Sequence, residues 1–321
     1  NTKNVNNIRI MFGICHSLAT LSLSNFITDN MVDIGYLFYQ CFALTSIDLS
    51  NFNTAKVYNM DFMFYQCYTL TSIDLSNFNT QSLINMRSMF GYCYLLTSID
   101  LSKFVTTSLI DMAYIFEGCI NLERIIVEEG NAVYDSRDNC NAIIGKRSNI
   151  LIAGCKNSTI PDGVTGIWQE AFLEHTGLTS IYIPNSVVSI GQQAFFNCSG
   201  LFFVAIGNSV TNIGNSAFAG CNNVRDVYCF AESIPTTGVN AFRNTFSATL
   251  HVPAASLEAY RETIPWSYFK NIVPLTDEEL TGVERIDNEQ LTMPAGIYDL
   301  NGRRLMKMQR GLNIVRYADG K

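Results

Sequence analysis

Hydrophobic and polar positions alternate through short segments that return along the chain at a constant interval. The segment LTSIDLSNFNT runs from Leu44 to Thr54 and occurs again from Leu70 to Thr80, and LTSIDLSKFVT follows from Leu96 to Thr106. The interval between copies is 26 residues each time. A fixed period of this length predicts a solenoid in which each copy forms one coil.

Each 26-residue copy predicts a strand, a bend and a helix. Alternation from Leu44 to Ser50 predicts a short strand with its apolar side chains inward, linked by backbone hydrogen bonds to the next coil. Asn51 and Asn77 recur just after this strand and are expected to close turns by bonding backbone groups. The next segment predicts a helix with one buried face, because apolar residues recur there at spacings of three or four: Val57, Met60, Met63, Phe64 and Cys67.

A second repeat type begins at Ile160, with a period of 23 residues and the frame IPxxVxxIxxxAFxxCxxLxxI. Between the two repeat types, the runs NAII and ILIAG flank the polar turn GKRSN and predict a β-hairpin. We therefore divide the chain into residues 1–128 (the first array, period 26), 129–156 (an inserted hairpin), 157–275 (the second array, period 23, with a C-terminal cap) and 276–321 (a linker and a small β tail).

The two frames, LxxLDLSxFxT with MFxxC and IPxxVxxIGxxAFxxCxxL, resemble the BspA-like family of bacterial surface leucine-rich-repeat proteins, built from treponemal-type repeats. The resemblance covers about Ile10 to Leu275, and gut-type members of the family carry similar inserts. It implies an α/β repeat fold, a right-handed leucine-rich-repeat solenoid with short strands on the concave face. Residues 276–321 are similar to C-terminal sorting or anchoring domains of Bacteroidetes surface proteins. Family members are reported as adhesins.

Charge and hydropathy bear on the possible partners of this protein and on its location. Acidic residues outnumber basic ones by 28 to 21, for a net charge of −7, which argues against nucleic acid as a partner. No stretch approaches the roughly 18 to 20 apolar residues of a membrane span. The sequence starts within a repeat and without a signal peptide, so we expect a trimmed or mature form that is secreted or displayed on the cell surface.

Five cysteines recur at the 26-residue interval, so they occupy equivalent positions in successive coils: Cys15, Cys41, Cys67, Cys93 and Cys119. A metal or redox role would require CxxC pairs or clustered histidines, which the sequence lacks, so we interpret this column as buried filler and predict no metal site and no cofactor. Cys140 and Cys155 flank the inserted hairpin. They are either a disulfide or two more buried thiols, and both alternatives stay open.

Catalytic motifs are missing from the sequence. The three histidines fall in unrelated coils, and GxSxG, GxGxxG, HExxH and Walker-type phosphate loops do not occur. The sequence therefore predicts a protein that is not an enzyme.

Alternation in the second array predicts an aromatic ligand-binding surface on the concave sheet face: Tyr182, Phe203, Tyr228 and Phe230, with His251 on the next strand. The alternatives are that the inserted hairpin covers these rings, that the C-terminal tail covers them, or that two copies of the solenoid pair there. A second candidate is the outward column Asp48, Asp74 and Asp100, either solvated or holding a cation.

The sequence thus predicts a non-enzymatic binding module of the adhesin type, which recognises a host or bacterial surface protein or a glycan on its concave face. The alternative is a structural spacer that displays another domain on the cell envelope. The identity of the ligand and the oligomeric state do not follow from the sequence.

Overall fold

The computed structural model describes residues 2–105, 107–276 and 279, with three two-residue strands at 297–298, 304–305 and 314–315. The chain divides into two compact units, Asn1–Val273 and Pro274–Lys321. The first unit is a parallel β-solenoid of about eight turns with few helices. In the second unit, β15 (Ile297–Tyr298) pairs antiparallel with β16 (Arg304–Leu305) and β17 (Ile314–Val315).

Three sheets run through the solenoid. A two-stranded parallel sheet pairs β1 (Ser98–Asp100) with β2 (Arg124–Ile126). A seven-stranded sheet contains β3 (Tyr134–Asp135), β4 (Ile143–Gly145), β5 (Ile150–Ala153), β6 (Gly166–Ile167), β8 (Ser189–Ile190), β10 (Asn212–Ile213) and β12 (Thr236–Thr237). A five-stranded sheet contains β7 (Ser180–Ile183), β9 (Phe203–Ile206), β11 (Asp226–Cys229), β13 (Thr249–Val252) and β14 (Asn271–Pro274).

The helix predicted in each coil of the first array is wrong. From Asn59 to Cys67 the chain forms successive turns, in which Phe62 and Gln66 have φ of 53° and 60°. These left-handed residues redirect alternate N–H groups toward the next coil, so that Phe64 N–H donates to Met89 O at 2.9 Å. An α-helix would need the same groups for bonds within the coil, and it is therefore excluded.

The strand predicted from Leu44 to Ser50 also departs from expectation. Its equivalent in the third copy, β1, pairs with β2, but the earlier copies are extended without a ladder. The carboxylate of Asp48 accepts the N–H of Ser50 at 2.9 Å, which turns the chain at the end of the extended segment. Regular pairing between coils lies instead in the turn segment, through single parallel bridges at Asn7, Asp33, Asn59, Asn85 and Asp111.

Asparagine side chains bond backbone groups as predicted, and those groups belong to the preceding coil. Asn77 Nδ2 donates to the carbonyls of Leu49, Ser50 and Phe52 at 2.9 to 3.2 Å, and Asn51 makes equivalent bonds to the coil before it. These bonds tie the bend of each coil to the asparagine of the next one.

The buried cysteine column has a hydrogen-bonding role as well as a packing one. Cys41, Cys67, Cys93 and Cys119 are fully buried, and each thiol lies 3.0 to 3.2 Å from a carbonyl of the preceding coil. The interpretation as buried filler holds for these four, whereas Cys15 is exposed.

The inserted segment separates two hydrophobic cores. Strand β4 pairs antiparallel with β5, and β5 continues in parallel onto β6. Successive residues of β4 face opposite sides, so Ile143 packs in the core of the first array and Ile144 in that of the second. Both Cys140 and Cys155 are buried free thiols, which is the second of the two alternatives, and they do not form a disulfide in this structure.

The last coil is covered by a short segment that includes α1 (Leu257–Glu262). Trp266 is fully buried and its Nε1 donates to Pro235 O at 3.1 Å, and the hydroxyl of the buried Tyr260 donates to Ala231 O at 2.8 Å. Burial of two large aromatic rings shields the end of the core from water.

Candidate functional site

The predicted aromatic residues lie on consecutive strands of the five-stranded sheet. Parallel pairing places Tyr182 opposite Ala205, Ala205 opposite Tyr228, and Tyr228 opposite His251. Because paired residues point to the same face of a sheet, these side chains share one surface, as the alternation predicts.

Rings from three strands of this sheet and the adjoining loop form one contiguous group, which we call the aromatic cluster: Phe203, Tyr228, Phe230 and His251. The Tyr228 ring stacks on His251 with centroids 4.2 Å apart and planes at 13°. The same ring lies 5.2 Å from Phe203 and 6.3 Å from Phe230. His251 Nε2 is 3.1 Å from Asp226 Oδ1, so the cluster has a polar group at one edge.

The exposure expected for these residues is wrong in part. Tyr182 is 8 % exposed and Tyr228 is 5 % exposed, while Phe203 and Phe230 are half-buried. The Tyr228 ring loses its access to solvent because His251 and Phe203 pack against it. The accessible part of the cluster is therefore provided by Phe203 and Phe230, which offer apolar ring surface beside a His–Asp pair.

The acidic column lies in the first array, apart from the strands that carry the aromatic cluster. Asp48, Asp74 and Asp100 are all exposed, and each accepts the backbone N–H of the serine two residues ahead at 2.8 to 2.9 Å. The Ser50 hydroxyl and its N–H lower the pKa of Asp48, and Ser76 does the same for the pKa of Asp74. Each of these carboxylates therefore closes a turn.

In the part of the chain that the structure describes, no group of three or more His, Cys, Asp or Glu side chains has the geometry to hold a metal ion. Among the same described residues, no helix is long and apolar enough to cross a bilayer.

Sequence reasoning missed an acidic group at the junction of the two arrays. It comprises Glu117 of the first array and Glu170 and Glu174 of the second. Tyr92 hydroxyl donates to Glu117 Oε1 at 2.9 Å, and Tyr114 hydroxyl donates to Glu170 Oε1 at 2.7 Å. Burial raises the pKa of Glu117 and of Glu170. The available signal was three glutamates at turn positions that other coils fill with uncharged side chains.

Comparison with known families identifies the repeats. Residues 151–288 match the family described as the BspA type leucine rich repeat region, in six copies. The first array matches a different family, described as a Mycoplasma protein of unknown function, DUF285, over residues 1–96 and 47–131. No curated protein matches the chain.

Several solved structures are similar to this chain. A leucine rich cell surface protein from Faecalibacterium prausnitzii is 22 % identical, with 80 % of both chains covered and a TM-score of 0.44. A leucine-rich repeat protein from Bacteroides ovatus is 18 % identical over 82 % of this chain and 70 % of its own, with a TM-score of 0.47. One from Eubacterium ventriosum is 19 % identical over 70 % of both chains, with a TM-score of 0.46.

Proposed function

Since the chain belongs to the BspA-like family of leucine-rich-repeat proteins, we propose that it is a non-enzymatic binding module, secreted or displayed on the cell surface, that acts in the manner of an adhesin. Its ligand is a surface protein or a glycan, of host or bacterial origin. The binding surface is the accessible part of the aromatic cluster, Phe203 and Phe230, on the sheet face that the nearly buried Tyr182 and Tyr228 share.

The observation that carries this proposal is the convergence of four rings on one rigid sheet face. Parallel register fixes Phe203 and Tyr228 on adjacent strands, and the Tyr228–His251 stack holds the cluster in one arrangement. A preorganised aromatic surface loses little conformational entropy on binding, and Tyr and Phe are enriched where proteins contact their partners. The His251–Asp226 pair supplies hydrogen-bonding groups at the edge, as recognition of a protein or glycan requires.

We propose that the acidic column makes a second contact with the ligand, through polar groups. Its three carboxylates stand on equivalent positions of neighbouring coils and are open to solvent. Replacing all three by asparagine keeps an oxygen that accepts the serine N–H and removes the charge, so this variant separates ligand contact from turn closure.

The alternative function is a spacer that holds another domain away from the cell envelope. The continuous solenoid favours it, because stacked coils give length and stiffness without any ligand. A spacer would have no affinity that depends on Phe203 or Phe230.

The test compares the parent chain with the Phe203→Ala/Phe230→Ala variant. Both would be presented to immobilised extracellular-matrix proteins and to a glycan array, and hits measured by surface plasmon resonance. Truncating two ring contacts is expected to weaken binding about tenfold or more. Tyr58→Ala is the matched control, since Tyr58 is 45 % exposed in the first array.

Four outcomes separate the hypotheses. Weaker binding with an unchanged melting temperature supports the aromatic cluster as the site. Equal binding by parent and variant places the ligand elsewhere. A parent chain that binds none of the probes favours the spacer, and a large fall in the variant's melting temperature indicates that these rings mainly stabilise the fold.

A further inference from the structure

The junction between the two arrays concentrates negative charge. Glu117, Glu170 and Glu174 meet there, and their hydrogen-bond partners are neutral: the Tyr92 and Tyr114 hydroxyls, and Asn197 Nδ2 at 3.4 Å from Glu174 Oε1. None of the three glutamates belongs to an ion pair among the residues that the structure describes. Carboxylates so placed repel one another when ionised.

Glu170 is the most constrained of the three. Its side chain is buried, its Oε1 accepts from Tyr114, and its Oε2 is buried without any hydrogen-bond partner. Leaving an ionised oxygen buried and unbonded is costly, whereas a protonated carboxyl carries no charge into the interior. The side chain is therefore better accommodated as a neutral acid.

The guanidinium that acts on this group, Arg87, is already engaged elsewhere. It lies over the Tyr114 ring at 4.5 Å from the centroid, and its Nη1 is 3.5 Å from Asp111 Oδ2. It lowers the pKa of Glu170, but burial raises that pKa by more. Besides the three glutamates, the titratable groups around the junction are Tyr65, Arg87, Tyr92, Tyr94, Asp111 and Tyr114. Three further titratable side chains are buried nearby: Cys119, His175 and Cys198.

The acidic group lies where few backbone bonds connect the arrays. Gly118 N–H donates directly to Leu173 O at 3.1 Å, and Lys156 N–H, at the end of the insert, donates to Leu122 O at the same distance. Within the first array, by contrast, each coil donates a run of N–H groups to the next coil. A change in the free energy of the contacts at this junction can therefore alter how often the two arrays separate locally, while each array stays folded.

We propose that the junction is a pH-sensitive joint: protonation of Glu170 and Glu117 ties the two arrays together, and ionisation loosens them. Proton uptake converts each carboxylate to a carboxylic acid, which removes the repulsion among the three glutamates and the charge on the buried Glu170 side chain. Both groups have a raised pKa in the folded chain, so the stabilisation is present below the ordinary glutamate pKa. It is lost as pH rises through the raised values.

Native-state hydrogen exchange tests the joint directly. The amide of Gly118 reports on the junction, and the amide of Phe38, which donates to Met63 O at 2.9 Å inside the first array, is the internal reference. After correction for intrinsic exchange rates, we expect protection at Gly118 to rise about threefold or more between pH 7.5 and pH 4, with little change at Phe38.

Variants distinguish this joint from a general effect of pH. Glu170→Gln keeps the shape of a neutral carboxyl, so at pH 7.5 it should raise protection at Gly118 and flatten its dependence on pH. Glu232→Gln, at an exposed position outside the junction, should change neither.

The proposal is overturned if protection at Gly118 falls or stays constant on acidification, or if Glu170→Gln leaves the pH dependence intact. Should Glu170→Gln fail to fold, Glu117→Gln and the pH series on the parent chain decide the question in the same way.

Discussion

Arg9 and Asp61 form a two-pronged ion pair across a whole coil of the solenoid. Arg9 Nη1 and Nη2 lie 2.7 and 3.0 Å from the two carboxylate oxygens of Asp61, although the residues are two coils apart. The intervening coil places Gly35 at the equivalent position, and a Cβ atom there would collide with both Asp61 Oδ1 and Arg9 Nη1. The absence of a side chain at Gly35 is what opens the path for the pair.

Gly35→Ala should therefore destabilise the first array. The added methyl group would force the Arg9 and Asp61 side chains apart, and the buried Asp61 carboxylate would lose its two bonds from the guanidinium. We expect a loss of about 1 to 2 kcal/mol in the free energy of unfolding, measured by urea denaturation. Gly130→Ala is the control, because the nearest atom to its added Cβ lies 4.0 Å away. Equal effects of the two substitutions would contradict the role assigned to Gly35.

Asn77→Ala should cost about 1 to 2 kcal/mol of stability, because three carbonyl groups of the preceding coil lose a donor. The third copy of the repeat offers a position-matched control, since Lys103 occupies the equivalent site and is exposed. Thermal unfolding of Asn77→Ala and Lys103→Ala, side by side, measures the difference. A larger loss from Lys103→Ala would show that the asparagine bonds contribute little.

Thiol reactivity should single out one cysteine of the native protein. Cys15 is exposed, whereas the other nine cysteines are buried. Burial raises the pKa of Cys41 to about 11 and that of Cys119 to about 12, so the reactive thiolate is scarce at pH 8. Labelling with a thiol reagent should modify Cys15 quickly and the rest only after unfolding. Cys15→Ser should abolish the fast phase, and its persistence in that variant would contradict the assigned burial.

The same reagent tests the state of Cys140 and Cys155. The two thiols are free, with Cys140 Sγ 3.8 Å from Ala142 O and Cys155 Sγ 3.3 Å from Asn141 O. Protein unfolded in guanidinium without reductant should therefore titrate all ten cysteines of the sequence. A deficit of two, restored by reductant, would show that the bridge forms.

Gly177→Ala should loosen the joint between the arrays. A Cβ atom on Gly177 would collide with the backbone carbonyl of Ile120, which belongs to the other array and is not free to rotate away. We expect a loss of about 1 to 3 kcal/mol, measured by urea denaturation, and faster exchange at the Gly118 amide. Gly130→Ala again provides the control. An unchanged free energy of unfolding would mean that the backbones at Gly177 and Ile120 can move apart without destabilising the protein.

The repeat period by itself determined that the chain is a solenoid. Equivalent residues 26 or 23 positions apart must stack when coils repeat, so the buried column of Cys41, Cys67, Cys93 and Cys119 and the bonds of Asn77 to backbone groups could be foreseen from spacing alone. Alternation also placed Tyr228 and His251 on one sheet face, because side-chain direction in a strand has a period of two.

Only the tertiary structure decided the local backbone conformation, the burial of individual side chains and the contacts between the two arrays. Apolar spacings of three and four are compatible both with a helix and with a stack of turns. The chain forms turns because a neighbouring coil accepts the backbone N–H groups, which Phe62 and Gln66 direct toward it through their left-handed φ. The burial of Tyr228 depends on the rings that surround it, and the meeting of Glu117 with Glu170 depends on how two arrays with different periods join across the insert. Contacts between residues distant along the chain follow from packing, which a local pattern does not encode.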